Sequence, residues 1–338
     1  MGARGPLGDL NMKKMTTPRY LDVVSCGACY RTTEPFTRPF FSHARRQSAR
    51  AMTRRHLSYA FAMIVSVGMY WNTLKTLTSL SLHSDVFTYA SAVPVLSAWL
   101  IYLERKRIFR EVRYDVGTGT ALLLLALALA YWSRRHSGWL SPEGSLSLVI
   151  LSLVALWMGL FVICYGTKTF RAATFQMLFL VLMVPIPQSL LERAIFLMRV
   201  GSAQMAGFLF RLAGVPAFQD GFRFALPGID LEVAEQCSGI RSGLALLITS
   251  LLMGHLFLRS SWRKFWLILA AIPVTIFKNG LRIVTISWLS VHPNLDFLTF
   301  YMHRYGGIPF SFLGIALLGF LVTSMIQSEK ITWKGNAG

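Results

Sequence analysis

Apolar residues in this chain fall in long runs separated by short polar segments. The pattern has neither the period of two of a half-buried strand nor the narrow apolar stripe of a surface helix. A helix that crosses a bilayer needs about 20 mainly apolar residues. Eight intervals approach that length: 57–74, 86–103, 116–132, 145–165, 172–187, 238–258, 265–290 and 306–326. One more apolar stretch, Ala194 to Leu212, is flanked or interrupted by Arg193, Arg199 and Arg211. We read it as a helix lying in the interface, with its arginines snorkelling to the headgroups. The expected fold class is all-α: a polytopic integral membrane protein with about eight transmembrane helices and one interfacial helix.

Composition agrees with this reading. Of 338 residues, 54% are hydrophobic and only 14% charged, with a mean hydropathy of +0.50, which excludes an ordinary soluble domain. Three parts are expected: a basic cytoplasmic tail over 1–55, a transmembrane domain over 56–327 and a cytoplasmic C-terminal tail over 328–338. The first tail has scattered Pro and Gly, no apolar period, and eleven Lys/Arg against Asp9, Asp22 and Glu34, so we expect it to be disordered. Met52 opens Met-Thr-Arg-Arg-His directly before the first span. It makes a natural translation start, with residues 1–51 an upstream extension. Cys26 and Cys29 have zinc-ligand spacing, but no second pair or nearby His completes a site. No metal and no cofactor is expected.

The net charge of +19 is largely a topology signal. With the N-terminus in the cytoplasm and eight spans, the inner segments hold the tail, Arg105, Lys106, Arg107, Arg110, Arg113, Lys168, Arg171, Arg259, Arg263, Lys264, Lys330 and Lys334. The outer segments hold only Lys75, Arg134, Arg135, Arg193, Arg199, Arg211, Arg223 and Arg304. That bias obeys the positive-inside rule; a ninth span would turn the Arg259–Lys264 cluster outward. Nucleic acid is not needed as a partner, because no basic, aromatic-interleaved soluble domain exists to bind it.

This orientation brings three polar signals to one membrane face. Cys237, in Glu235-Gln236-Cys237-Ser238-Gly239, opens the sixth span from the outer side. A thiol at a helix N-terminus feels the positive end of the macrodipole, which favours the nucleophilic thiolate. Ser238 and Gly239 suit a helix start and leave room beside the sulfur. Cys164 is inside the fourth span and Cys26 and Cys29 are in the tail, so Cys237 has no disulfide partner in an oxidising compartment. The commoner role of a free Cys is that of a small buried hydrophobe. Arg282 lies 17 residues into the seventh span, near the outer leaflet, with Asn279 one turn earlier to orient its guanidinium. Its fork of donors suits a carbonyl oxygen or a developing oxyanion, and the bland alternative is an ion pair with Glu232 or Glu235. Lys278 adjoins both, and Arg241, one turn after Cys237, would favour a thiolate or form a packing ion pair. His303, in the last outer loop, could act as general acid and base for a cysteine nucleophile. His292 competes with it on the same side, whereas His255 is about 27 Å along the helix from Cys237, too far to act. No HExxH, GxSxG or Walker signature appears.

Taken together, these residues resemble the exosortase/archaeosortase family. The resemblance rests on Val184-Pro185-Ile186-Pro187, on the segment Gly228 to Ser242 around Cys237, on Lys278-Asn279-Gly280-Leu281-Arg282-Ile283, and on His303 with its following glycines. It covers roughly 57–326. It implies a cysteine protease-transpeptidase of the bacterial inner membrane, with its active site on the periplasmic side. The implied catalytic residues are Cys237 (nucleophile), Arg282 and His303, with Asn279, Ser238, Gly239, Glu235 and Arg241 in support. The implied partners are membrane-anchored secreted proteins bearing a C-terminal sorting tail: a short motif of the Pro-Glu-Pro type, a transmembrane helix and a basic cluster. A link to extracellular polysaccharide export is also implied. Two other readings of the same residues are a transporter or flippase for polysaccharide precursors and a membrane cysteine acyltransferase. The halves show no internal repeat and no central charged pathway, which tells against transport.

Overall fold

The computed structural model describes residues 38–84, 86–136, 141–226, 229–233, 239–290 and 307–335, with side chains from Met52 to Glu329. The chain separates into two units, Met1–Ala51 and Met52–Gly338, and the second is described here. Its helices are α1 (Arg38–Met69, which begins in the first unit), α2 (Trp71–His83), α3 (Ala92–Leu103), α4 (Arg105–Ile108), α5 (Val116–Arg135) and α6 (Pro142–Tyr165). They continue as α7 (Thr167–Ala172), α8 (Thr174–Phe179), α9 (Gln188–Leu212), α10 (Ile240–Phe257), α11 (Ser261–Ser290) and α12 (Gly307–Gly335). Six described helices have the length and apolarity to cross a membrane: α5, α6, α9, α10, α11 and α12 through Glu329. Their outward residues, such as Leu124, Tyr131, Phe208 and Phe320, are large, apolar and exposed, as lipid-facing positions must be. The all-α polytopic class holds.

Four details depart from the hydropathy reading. Helix α1 starts at Arg38, inside the interval 1–55 expected to lack regular structure. Pro39 is tolerated at a helix start, and Ala44 to Met52 is rich in the strong helix formers Ala, Arg and Gln. Next, the run 172–187 is broken into α8 and a 3-10 turn at Leu180–Met183, an apolar unit of ten residues at Thr174–Met183. Pro185 and Pro187, which lack an N–H, keep it from continuing. Conversely, the stretch read as interfacial from Ala194 begins at Gln188 and forms the 25-residue α9, long enough to cross. The run 86–103 likewise contributes only the 12-residue α3, with Pro94 in its first turn.

The first part of the unit is organised by α6, whose apolar window is 61% buried. Ile150, Leu153, Val154, Trp157, Phe161 and Tyr165 enter one core with Met177, Phe179 and Met183. Ser141 caps α6, accepting from Gly144 N at 3.1 Å, with Pro142 in the first turn. Gly119 of α5 and Gly159 of α6 face each other. A Cβ at Gly159 would lie 3.1 Å from Leu123 N and 3.2 Å from Gly119 O, so the two helices meet backbone to backbone. Trp157 Nε1 donates to Ser66 Oγ at 2.8 Å and tethers α1 to this core.

The second part is organised by α11, which packs on α9, α10 and α12. Between α9 and α10 the chain forms a feature that the hydropathy pattern does not announce. This is an antiparallel meander of β1 (Phe218–Asp220), β2 (Arg223–Leu226) and β3 (Ile229–Glu232), in the order β1-β2-β3. Asp220 pairs with Arg223 across a two-residue loop in which Gly221 has φ 57°, a left-handed value suited to glycine. Phe224 and Leu226 of β2 are buried against Ala203, Ala206 and Phe210 of α9 and Ile283 of α11. This alternation anchors the sheet to the bundle by one face.

Candidate active site

Three of the residues singled out in the sequence lie on a single turn of α11. Lys278 and Asn279 are 3% and 2% exposed, and Arg282 is half-buried one turn on. Lys278 and Asn279 each carry a hydrogen bond to a neighbouring helix. Lys278 Nζ donates to Ser242 Oγ of α10, and that hydroxyl donates onward to Gly239 O at 3.0 Å. Asn279 Nδ2 donates to Ser202 Oγ of α9 at 2.9 Å. Among the described residues Arg282 enters no hydrogen bond or ion pair, and its side chain lines a cavity.

Glycines allow this close assembly. Gly239 has φ 78°, and a Cβ there would lie 2.9 Å from Asn279 Cγ and 3.2 Å from its amide oxygen and nitrogen. Both the left-handed backbone and the space therefore call for glycine at the position two residues after Cys237. Gly280 lets α9 approach, since its Cβ would meet Met205 Cγ at 2.6 Å and Ala206 N at 3.2 Å. Gly314 of α12 lies against Lys278, whose Cδ would sit 3.1 Å from an added Cβ. Thus α9, α10 and α12 all close on the same turn of α11.

The cavity measures about 790 Å³ and is walled by Gly239, Arg241 and Ser242 of α10, Lys278 and Arg282 of α11, and Gly307, Phe310 and Ser311 of α12. Val86, Thr88 and Ile195 complete its edge. Three cations face it, and no Asp or Glu among the described residues does. Such a lining favours a polarised carbonyl or an anion over a cation. Cys237, Ser238 and Glu235 lie outside the described residues, as do His303 and His292. The segments that carry Cys237 and His303 join the described fold at Gly239 and Gly307, and both glycines line this cavity.

The sheet that precedes Cys237 in the chain is tied to α9. Arg199 Nε donates to Val233 O at 2.5 Å, its other arm reaches Glu232 Oε1 at 3.4 Å, and its guanidinium lies 3.9 Å above the Phe222 ring. Arg199 was expected to snorkel to headgroups; instead it is turned inward and ties β3 to α9, because the sheet offers it a carbonyl, a carboxylate and an aromatic face. Glu232 also meets Arg223 at 3.4 Å. That carboxylate is thus held by Arg199 and Arg223, not by Arg282. Only the Glu235 half of the ion-pair alternative for Arg282 is left, and Glu235 is outside the described residues. His255, at the other end of α10, bonds Glu104 Oε1 at 2.8 Å and stacks on Phe175 with centroids 3.8 Å apart. It belongs to a separate polar cluster with Gln176, which donates to Glu104 Oε2 at 2.9 Å.

Sequence reasoning missed Ser202, Ser242 and the sheet. Ser202 lies in the run read as interfacial, and no local signal marks a serine whose partner is 77 residues away. A model of the Transmembrane exosortase family (Exosortase_EpsH) matches residues 71–320, an interval that contains Cys237, Lys278, Asn279, Arg282 and His303. No curated protein and no solved structure matches the chain at a significant level. Covering most of the sequence and every described residue that lines the cavity, the match makes this chain a member of the transmembrane exosortase family.

Proposed function

We propose that this protein is a membrane-embedded cysteine protease-transpeptidase that removes the C-terminal sorting tail of membrane-anchored secreted proteins. The observation that carries the reading is the shared cavity. Arg282 lines it together with Gly239, two residues after Cys237, and Gly307, four residues after His303. In the proposed reaction the Cys237 thiolate attacks a backbone carbonyl of the sorting motif. Arg282 donates hydrogen bonds to the oxyanion, a role that fits a half-buried cation engaged by no described carboxylate. The C–N bond breaks, His303 protonates the leaving amine, and a thioester links Cys237 to the substrate. An incoming amine, or water, gives its proton to His303 and attacks the thioester; the C–S bond breaks and the Cys237 thiolate and protonated His303 are restored. Asn279 and the Lys278–Ser242–Gly239 chain of hydrogen bonds serve as positioning groups, since they hold the backbone that leads out of Cys237. Substrates of the Pro-Glu-Pro type and a bacterial inner-membrane location are part of the same proposal.

The proposed orientation puts the cavity on the periplasmic face and both termini in the cytoplasm. It does not depend on 172–187 crossing. Ten apolar residues extend only about 15 Å, half a bilayer, whereas the 25 residues of α9 extend about 38 Å. If α9 crosses in place of that run and the basic segment Arg105–Arg113 before α5 faces inward, α10 still starts outside and the Arg259–Lys264 cluster stays inside, as the positive-inside rule requires.

The test is Cys237→Ala in cells that also express a tagged membrane-anchored protein with such a tail. The variant should insert at the normal level and leave the tail uncleaved, whereas the unaltered chain releases it. Tail removal by the Ala variant would overturn the cysteine mechanism. In parallel, a maleimide that cannot cross the inner membrane should label Cys237 in cells with a permeabilised outer membrane.

A further inference from the structure

A second cavity, of about 600 Å³, lies among α1, α3, α4 and α6, away from the catalytic proposal. Tyr59, Ile101, Phe109 and Phe161 form its apolar wall, and Arg105 and Lys106 stand exposed at its mouth. The volume is in the range of ligand pockets, and its two ends differ sharply in chemistry. The polar groups inside are already matched: His56 Nδ1 and Tyr165 Oη bond each other at 2.8 Å. The cations at the mouth are not. Arg105 lies 4.1 Å from the Tyr102 ring centroid, which holds its guanidinium in place. Among the described residues, neither Arg105 nor Lys106 has an ion-pair partner or a side-chain hydrogen bond. Arg107 takes the nearest carboxylate, Glu104, which also binds His255 and Gln176.

We infer that this cavity is a binding site for an anionic phospholipid, with an acyl chain against Tyr59, Ile101 and Phe161 and the headgroup phosphate on Arg105 and Lys106. An apolar slot beside the end of a membrane helix admits an acyl chain directly from the bilayer. A pair of uncompensated cations at interface level then selects a negative headgroup over a zwitterionic one. Position supports the depth assignment. The cations follow immediately on the apolar α3, beside the exposed aromatic residues Trp99 and Tyr102 that suit the headgroup region. The site is independent of the cysteine chemistry, and it stands or falls without it.

The experiment uses the purified full chain in detergent, with thermal unfolding and lipid titration as readouts. Dioleoyl-phosphatidylglycerol should raise the melting temperature by several degrees more than the same mole fraction of dioleoyl-phosphatidylcholine. Arg105→Gln with Lys106→Gln should weaken phosphatidylglycerol binding about thirtyfold, as the loss of two interfacial cations implies. Arg110→Gln with Arg113→Gln, on the same basic segment but off the cavity, should leave it unchanged. Ala98→Trp, which fills the slot from its exposed wall, should abolish the preference for phosphatidylglycerol without lowering the melting temperature of the lipid-free protein. Equal stabilisation by the two lipids, or equal loss in both double variants, would show general attraction to negative surfaces and overturn the site. Inorganic phosphate that stabilises as well as the lipid would overturn the acyl-chain half.

Discussion

The two central helices of this protein bury different things. Helix α6 buries Leu153, Val154, Trp157, Phe161 and Tyr165, large side chains that fill space, and its few polar contacts are hydroxyl or indole tethers such as Trp157 to Ser66. Helix α11 buries Lys278, Asn279, Gly280 and Ser287, and its neighbours approach through glycines. The first arrangement optimises packing. The second accepts the desolvation of an ammonium and an amide to hold three helices on one turn beside a cavity. Buried polar groups are costly unless matched, and the ammonium and the amide here are each given a partner on a different helix. The comparison teaches that the site half is specified by hydrogen bonds and close backbone approach, while the other half is specified by volume.

Substitutions should therefore fail differently in the two halves. The largest effect after loss of Cys237 itself is expected at Arg282. Both Arg282→Ala and Arg282→Lys should lower tail cleavage about 10²–10³-fold, because lysine keeps the charge but loses the planar fork of donors. A cleavage assay at equal protein level checks this, and an active lysine variant would reassign Arg282 to a structural role. Gly239→Ala is next. An alanine held at φ 78° costs about 1–2 kcal/mol and displaces Asn279. A loss of about tenfold in cleavage rate should follow, with the melting temperature moving little. Removing the clash with Asn279→Gly should recover less than the full rate, since the strained backbone remains.

In the α6 half the order of effects reverses. Gly159→Leu drives a side chain into the α5 backbone and should destabilise by about 1–3 kcal/mol. The protein that remains folded should cleave at the ordinary rate, as melting curves and specific activity measured together would establish. The smallest effect is expected at Glu111, whose exposed carboxylate meets Lys168 Nζ at 3.1 Å. That hydrogen bond and charge hold its carboxyl below the usual range. Any stabilisation is thus present at neutral pH and fades as pH falls through the lowered value. Glu111→Gln should leave the melting temperature at pH 7 within error, as for most surface pairs.

Part of the cavity turn was legible as polar residue types inside an apolar run. An arginine and an asparagine one turn apart inside an apolar run stand out because the bilayer makes them expensive, and both prove to be at the cavity turn. The run 172–187 misled because hydropathy averages over Pro185 and Pro187, which interrupt the backbone ladder without lowering apolarity much. The run 194–212 shows what local charge leaves out. Its arginines read as interfacial, whereas Arg199 has a carbonyl, a carboxylate and a ring to satisfy it inside the protein.

Apolar run length by itself determined that this chain is a bundle of membrane helices, because a bilayer demands about 20 apolar residues per crossing wherever the helix ends up. Local motifs determined where reactive and cationic side chains enter those helices. The tertiary structure alone decided which of them meet. Ser202, Gly239, Ser242 and Gly314 are ordinary small residues in three separate segments, and they matter only because α9, α10 and α12 close on Lys278 and Asn279. The physical reason is range. Burial of a run is a property of consecutive residues, but a hydrogen bond or a backbone contact of about 3 Å between helices depends on how the helices pack, and that is not written in any one of them.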